Sequence, residues 1–241
     1  MSKITIIFFL GNLISLGTQL MSQENKILNI PKISNPNKNN IHELASLIQP
    51  YTMTSNIDIV NWPEFSYRPK VTFHIAHTDD SILLVYHVTE KHVLANKTKT
   101  NSRTHQDSCV EFFVAIENDP NYYNFEFNSI GTVHLAYGSD LNTREFISPR
   151  LIKKYIQIHS SLGRDPFDIQ EENASWTLSI SMDQRIFVHH PDLKFQDLKA
   201  RGNFYKCGDF TIEPHFLSWN QVPTKSPSFH QPNYFGTLVF E

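Results

Sequence analysis

From Ile57 onward, apolar and polar residues alternate in short runs separated by turn residues. In VTFHIAH, Val71, Phe73 and Ile75 fall on one face of an extended segment, the period-two signature of a half-buried strand. Asp79 and Asp80 supply a turn, and SILLVYHVTE returns as a more fully buried strand. Similar runs recur at SCVEFFVAI, YYNFEFN, TVHLAYG, KKYIQIHSS, SWTLSISM, GNFYKCG, HFLSW and YFGTLVFE. Clusters such as Asn118-Asp119-Pro120, Gly138-Ser139-Asp140 and Gly163-Arg164-Asp165-Pro166 divide them. Roughly ten short strands without crossover helices predict an all-β fold. The expected form is a single antiparallel β-sandwich of immunoglobulin or jelly-roll type, with one or two short helices. One helix is expected from Ile41 to Ile48, stopped by Pro50, and a second short one somewhere in 183–200.

Ahead of the strands, Lys3 precedes an apolar run from Ile4 that continues, interrupted by Asn12, to Leu16. Ser15 and Gly17 stand at −3 and −1 of a cleavage before Thr18, so residues 1–17 read as a signal peptide. The run is too short and too interrupted for a membrane span. Export to the periplasm, cell surface or medium follows; were Met21 the true start, the chain would stay in the cytoplasm. Residues 18–56 then form a lead-in carrying the short helix, and 57–241 the sandwich.

With 241 residues, 18 Phe, 9 Tyr and only 8 Gly, the chain can fill a large side-chain core. A net charge of −3 without any Lys/Arg block argues against nucleic acid as a partner. Cys109 and Cys207 either pair or sit as small core residues.

One hairpin departs from ordinary core chemistry. In HQDSCVEFFVAIENDPNYYNFEFN, Val110, Phe112, Val114 and Ile116 share one face of the first arm, and Tyr123, Phe125 and Phe127 one face of the second. If those faces enter one core, a loop from Glu117 to Pro120 pairs Phe112 with Phe125 and Glu111 with Glu126. Both carboxylates then lie on the opposite face, beside Asn124 and Asn128. Like charges opposed across a sheet destabilise it by a few tenths to about 1 kcal/mol, so something must compensate. A solvated sheet face, a glycosidase pair, a metal site and a sugar-binding face are all compatible with the pattern. The glycosidase reading would use Glu111 and Glu126 about 5 Å apart. Asp79, Asp80, Asp107 and Asp119 do not fall into a calcium-loop spacing. No cofactor is therefore expected, although structural calcium stays open. A haem-binding sandwich would need an axial His or Met, and only Met53 and Met182 lie beyond the leader region. The 12 histidines form no HxH or HExxH arrangement, and no GxSxG, phosphate loop or CxxC is present. Trp62 and Trp176 are expected in the core.

HTDDSILLVYHVTEK, QDSCVEFFV, YYNFEFNSIGT, SWTLSISM, NFYKCGD, PHFLSWN and PSFHQPNYFGTLVFE follow one another in a familiar order. From about Trp62 to Glu241 the chain resembles the family 9-like carbohydrate-binding proteins, related to the modules attached to xylanases. The resemblance implies a non-catalytic sandwich that holds a polysaccharide or oligosaccharide, typically a plant-type chain end of the xylan or glucan class. It leaves room for a glycoside hydrolase partner. In the modules a sugar ring is gripped between two tryptophans, with a glutamate on its hydroxyls. The second tryptophan matches Trp219 and the glutamate Glu111. The first tryptophan's place falls at His105, and an arginine's place near Glu126. Asn128, Glu126, Asn203 and His105 are accordingly lesser candidates for the sugar site.

Overall fold

The computed structural model describes residues 25–34, 40–170 and 173–241; the leader read over 1–17 lies outside them. In chain order the described strands begin with β1 (Ile27–Ile30), β2 (Ser55–Asn56), β3 (Ile59–Val60), β4 (Lys70–His77), β5 (Ser81–Glu90) and β6 (Val93–Ala95). They continue with β7 (Cys109–Ile116), β8 (Tyr123–Asn128), β9 (Val133–Tyr137), β10 (Glu145–Phe146) and β11 (Ile156–Ser160). The last five are β12 (Phe167–Gln170), β13 (Ala174–Asp183), β14 (Lys199–Cys207), β15 (Phe216–Ser218) and β16 (Gly236–Phe240). One sheet runs β1-β16-β14-β7-β8-β9-β10, with β15 alongside β14 and β3 alongside β15. The second runs β11-β13-β5-β4-β2, and β12 pairs with β6 apart from both. All ladders between these strands are antiparallel except β1 on β16, where the lead-in supplies a parallel edge.

The two sheets face each other, as the alternation demands. Phe73 of β4 stacks on Phe204 of β14 at 4.0 Å, and Phe204 lies 4.8 Å from Phe112 of β7. Each such buried side chain contributes about 1.5–3 kcal/mol of hydrophobic stabilisation. At one end of this core sits a charged cluster. Lys206 Nζ donates to the Cys207 carbonyl (2.8 Å) and to His215 Nε2 (2.7 Å), and lies 2.9 Å from Glu90 Oε2. Trp176 Nε1–H donates to Glu90 Oε1 at 2.8 Å, so β5, β13 and β14 are tied across the sandwich. Burial first, and the Lys206 ammonium second, hold the His215 imidazole well below its ordinary range.

The helix expected at Ile41–Ile48 is present as a 3-10 turn, Ile41–Glu43, leading into α1 (Leu44–Ile48). The second helix is elsewhere than expected. Within 183–200 the chain makes a 3-10 turn, Gln184–Ile186, whereas α2 covers Pro149–Tyr155. Its start follows ordinary capping rules: Ser148 accepts from the Leu151 N–H, and Pro149 takes the first position, where a missing N–H costs nothing.

The β7–β8 register pairs Phe112 with Phe125 and Glu111 with Glu126, as the hairpin arithmetic expects. A solvated carboxylate face, however, is not what results. Phe113, Ala115, Tyr122 and Tyr205 cluster there with Trp62, Val222, Phe229 and Phe235, and cover much of the face. The apolar residues interspersed with the carboxylates on that face draw the long segments around β3 and β15 over it. Glu111 and Glu126 are left 2% and 3% exposed.

Candidate functional site

A cleft of about 380 Å³ opens over the two glutamates. Its floor comes from neighbouring strands: Glu111 on β7, Glu126 opposite on β8, and Cys207 on β14. His105 reaches in from the 3-10 turn ahead of β7, and Asp209 from the exit of β14. Backbone bonding of Asp209 N–H to the His105 carbonyl (3.1 Å) holds these segments together. His105 Nδ1 also donates to Asp209 Oδ2 at 2.7 Å. Burial pulls the His105 pKa down, but the Asp209 hydrogen bond and the Glu126 charge outweigh it and leave it raised.

Arg144 brings the cation. It projects from the β9–β10 hairpin, which turns at Gly138 with φ +137°, and a Cβ there would stand 3.0 Å from the Arg144 backbone. The guanidinium lies 3.3 Å from His134 Nε2 and 3.5 Å from His230 Nε2. Because His134 Nδ1 meets the Ser102 carbonyl, that nitrogen carries the proton and Nε2 accepts from Arg144. The same reasoning for His230 makes Nδ1–H donate to the Tyr122 hydroxyl oxygen (2.8 Å). Burial, the first cause, and Arg144 hold His230 down at about 4, with Glu126 opposing them, so the ring is neutral at ordinary pH.

The paired carboxylates are served unequally. Glu126 accepts from Thr104 Oγ1 (3.0 Å) and Asn124 Nδ2 (2.9 Å). Glu111 accepts from the Cys207 thiol alone, at 3.2 Å, among the described residues. Burial, and then the adjacent Glu126 charge, push its carboxyl well above the usual carboxylate range. The like-charge penalty is thus relieved by proton retention at Glu111 and by the nearby guanidinium. Asp209 Oδ1 is buried and has no donor among the described residues. Phe216, Phe229 and Leu141 supply apolar walls.

Of the residues expected in the sugar site, Glu111, Glu126 and His105 converge here. Three do not. Trp219 is 4% exposed and sits in the inter-sheet core, edge-on to Phe204 at 5.8 Å. The cause is register: the chain beyond β15 keeps pairing with β14, Trp219 N–H bonding the Phe204 carbonyl, and Phe204 faces inward. Phe216, paired with Cys207, faces the cleft instead. Trp219 borders a different and larger opening, about 630 Å³, beside Lys26, Tyr51 and Met53. Asn203 is spent on the backbone, its Oδ1 accepting from the Asn220 N–H and its Nδ2 donating to the Asn220 carbonyl. Asn128 likewise binds the Lys97 carbonyl, Asp107 and the Thr132 N–H. The cleft also gathers Arg144, Asp209, His230 and Phe216, none of which stands out in the sequence, although the parity of HFLSW against GNFYKCG points to Phe216. Met53 is exposed and Met182 buried in the core, and neither lines the cleft.

Residues 43–240 match the family model described as carbohydrate-binding family 9. The chain belongs to that family. Its members are non-catalytic binding modules. A solved structure from Bacteroides uniformis, provisionally assigned as a carbohydrate-binding protein, is 36% identical. The match covers 90% of this chain and 100% of that one, with a TM-score of 0.87. A family 9 module from Caldicellulosiruptor kristjanssonii in complex with cellotriose is 12% identical. That match covers 90% of this chain and 94% of the module, with a TM-score of 0.57. The same organism's module in complex with glucose matches at 12% identity, 90% and 96% coverage and a TM-score of 0.54. These two share the fold. No curated protein matches the chain in sequence.

Proposed function

We propose that this family 9 module holds the end of a plant-type polysaccharide, or an oligosaccharide of the xylan or glucan class, in the cleft over Glu111 and Glu126. A neutral sugar ring offers an apolar face and a rim of hydroxyls that both donate and accept. The cleft offers Phe216 and Phe229 for the face, and Arg144, His105, Glu126 and Asp209 for the rim. The observation that carries the reading is Asp209 Oδ1, a buried acceptor without a donor among the described residues, in a cleft walled by phenylalanines. A sugar hydroxyl would relieve the cost of about 1–3 kcal/mol that such an orphan imposes. The volume suits one or two sugar rings, near the lower end of the roughly 300–1,000 Å³ typical of ligand pockets. The cellotriose and glucose complexes of the Caldicellulosiruptor modules support glucose-type ligands.

Calorimetric titration of the folded protein with glucose, cellobiose and xylobiose tests this, run beside Arg144→Ala. Hydrogen bonds from a charged group contribute about 1.5–3 kcal/mol, so the variant should bind at least about tenfold more weakly. Equal affinity of the variant for every sugar that the wild type binds would remove this cleft from the reading.

A further inference from the structure

We infer that the floor of the cleft is also a site for a thiophilic divalent cation such as zinc, held by Cys109, Glu111 and Cys207. Cys109 and Cys207 lie directly opposite each other across β7 and β14. Glu111, two residues beyond Cys109 on the same strand, presents its side chain to the same face. One sulfur from each cysteine and one carboxylate oxygen lie within 4.8 Å of one another. In a tetrahedral zinc site with Zn–S near 2.3 Å, ligand atoms stand about 3.3–3.8 Å apart, so closure needs side-chain shifts of about 1 Å. The Cys207 sulfur is already 3.2 Å from Glu111 Oε1.

The remaining contacts make the cluster unusual for a core. Both thiols are free and buried, and Cys109 meets the Val110 carbonyl at 3.7 Å and the Cys207 thiol. Among the described residues Glu111 has no donor besides a thiol, although a buried carboxylate normally needs a cation or several N–H groups. A divalent ion would satisfy all three groups at once. Cys207 and Glu111 also line the cleft, which gives the ion an entry path and leaves a fourth position for water. Binding converts two thiols to thiolates and the Glu111 carboxylic acid to a carboxylate, and releases three protons to solvent. With the carboxylate the site then carries one net negative charge, and Arg144 lies in the same cleft. Two sulfurs with one oxygen favour zinc or cobalt(II) over calcium or magnesium, which take oxygen ligands. The site is independent of the sugar reading, since its readout is the metal itself.

The test uses reduced full-length protein with both thiols confirmed by titration after unfolding. Cobalt(II) is added without oxygen. One equivalent should raise a thiolate-to-cobalt charge-transfer band in the near ultraviolet with tetrahedral bands in the visible, and zinc should bleach both. Cys207→Ser should weaken cobalt binding at least tenfold and cut the charge-transfer intensity. Glu111→Gln keeps both thiols and the strand pairing, so it serves if the serine variant does not fold; it too should weaken binding. Absence of the charge-transfer band in the wild type would overturn the assignment, as would unchanged binding in the folded variants.

Discussion

Replacing Lys206 with Met tests the clamp that joins the two sheets. The ammonium is fully buried and has three neighbours: the Cys207 carbonyl at 2.8 Å, His215 Nε2 at 2.7 Å and Glu90 Oε2 at 2.9 Å. The contact with Glu90 is close but not aligned as a hydrogen bond, so its strength is coulombic. Methionine preserves most of the aliphatic stem and removes the charge, leaving the Glu90 carboxylate buried with the Trp176 indole N–H as its remaining close donor. Breaking a buried ion pair from one side costs about 3–5 kcal/mol. At about 2–4 °C per kcal/mol for a chain of this size, the Tm should fall by about 6–20 °C. Urea unfolding followed by tryptophan fluorescence reads the change directly, because Trp62, Trp176 and Trp219 are all buried. Adding Glu90→Gln to the Met variant removes the stranded charge and should recover about half of the loss or more. A single variant that loses less than about 1 kcal/mol, or a double variant no better than the single, would refute the reasoning.

Trp219→Ala should cost about 3–5 kcal/mol of stability by opening a cavity between the sheets, while the folded fraction keeps its sugar affinity. Phe216→Ala should do the reverse, weakening sugar binding about two- to tenfold through the lost aromatic contact; the opposite pattern in titration would return the platform to Trp219. His230 supplies a pH dependence. Its folded pKa, about 4, lies below the ordinary value of 6.5, so the unfolded chain takes up the proton first. Its contribution is present above pH 6.5 and is lost as pH falls from there toward 4. His230→Gln should flatten the stability profile in that window, and a wild-type profile no steeper than the variant's would contradict the assignment.

Period-two alternation determined most of the strands, because burial on one face of a pleated strand writes itself into every second residue. It determined the β7–β8 register too: only an odd residue sum brings Phe112 and Phe125 to one core, and Glu111 then meets Glu126. The helix at Pro149–Tyr155 begins on Ser148-Pro149, an ordinary capping pair, and takes in the Lys153–Tyr155 start of a run whose pattern reads as strand. Tertiary structure alone assembled the cleft. Nothing local shows that β15 continues its pairing past Ser218, and that continuation turns Trp219 inward and Phe216 toward the cleft. Nor does local pattern reveal that Arg144, 33 residues beyond Glu111, returns beside it, or that Cys109 and Cys207 meet in register. The strand pattern reports which residues are buried, since burial is paid residue by residue. Which residues meet across strands depends on how distant segments are brought together, and the chain carries no local record of that.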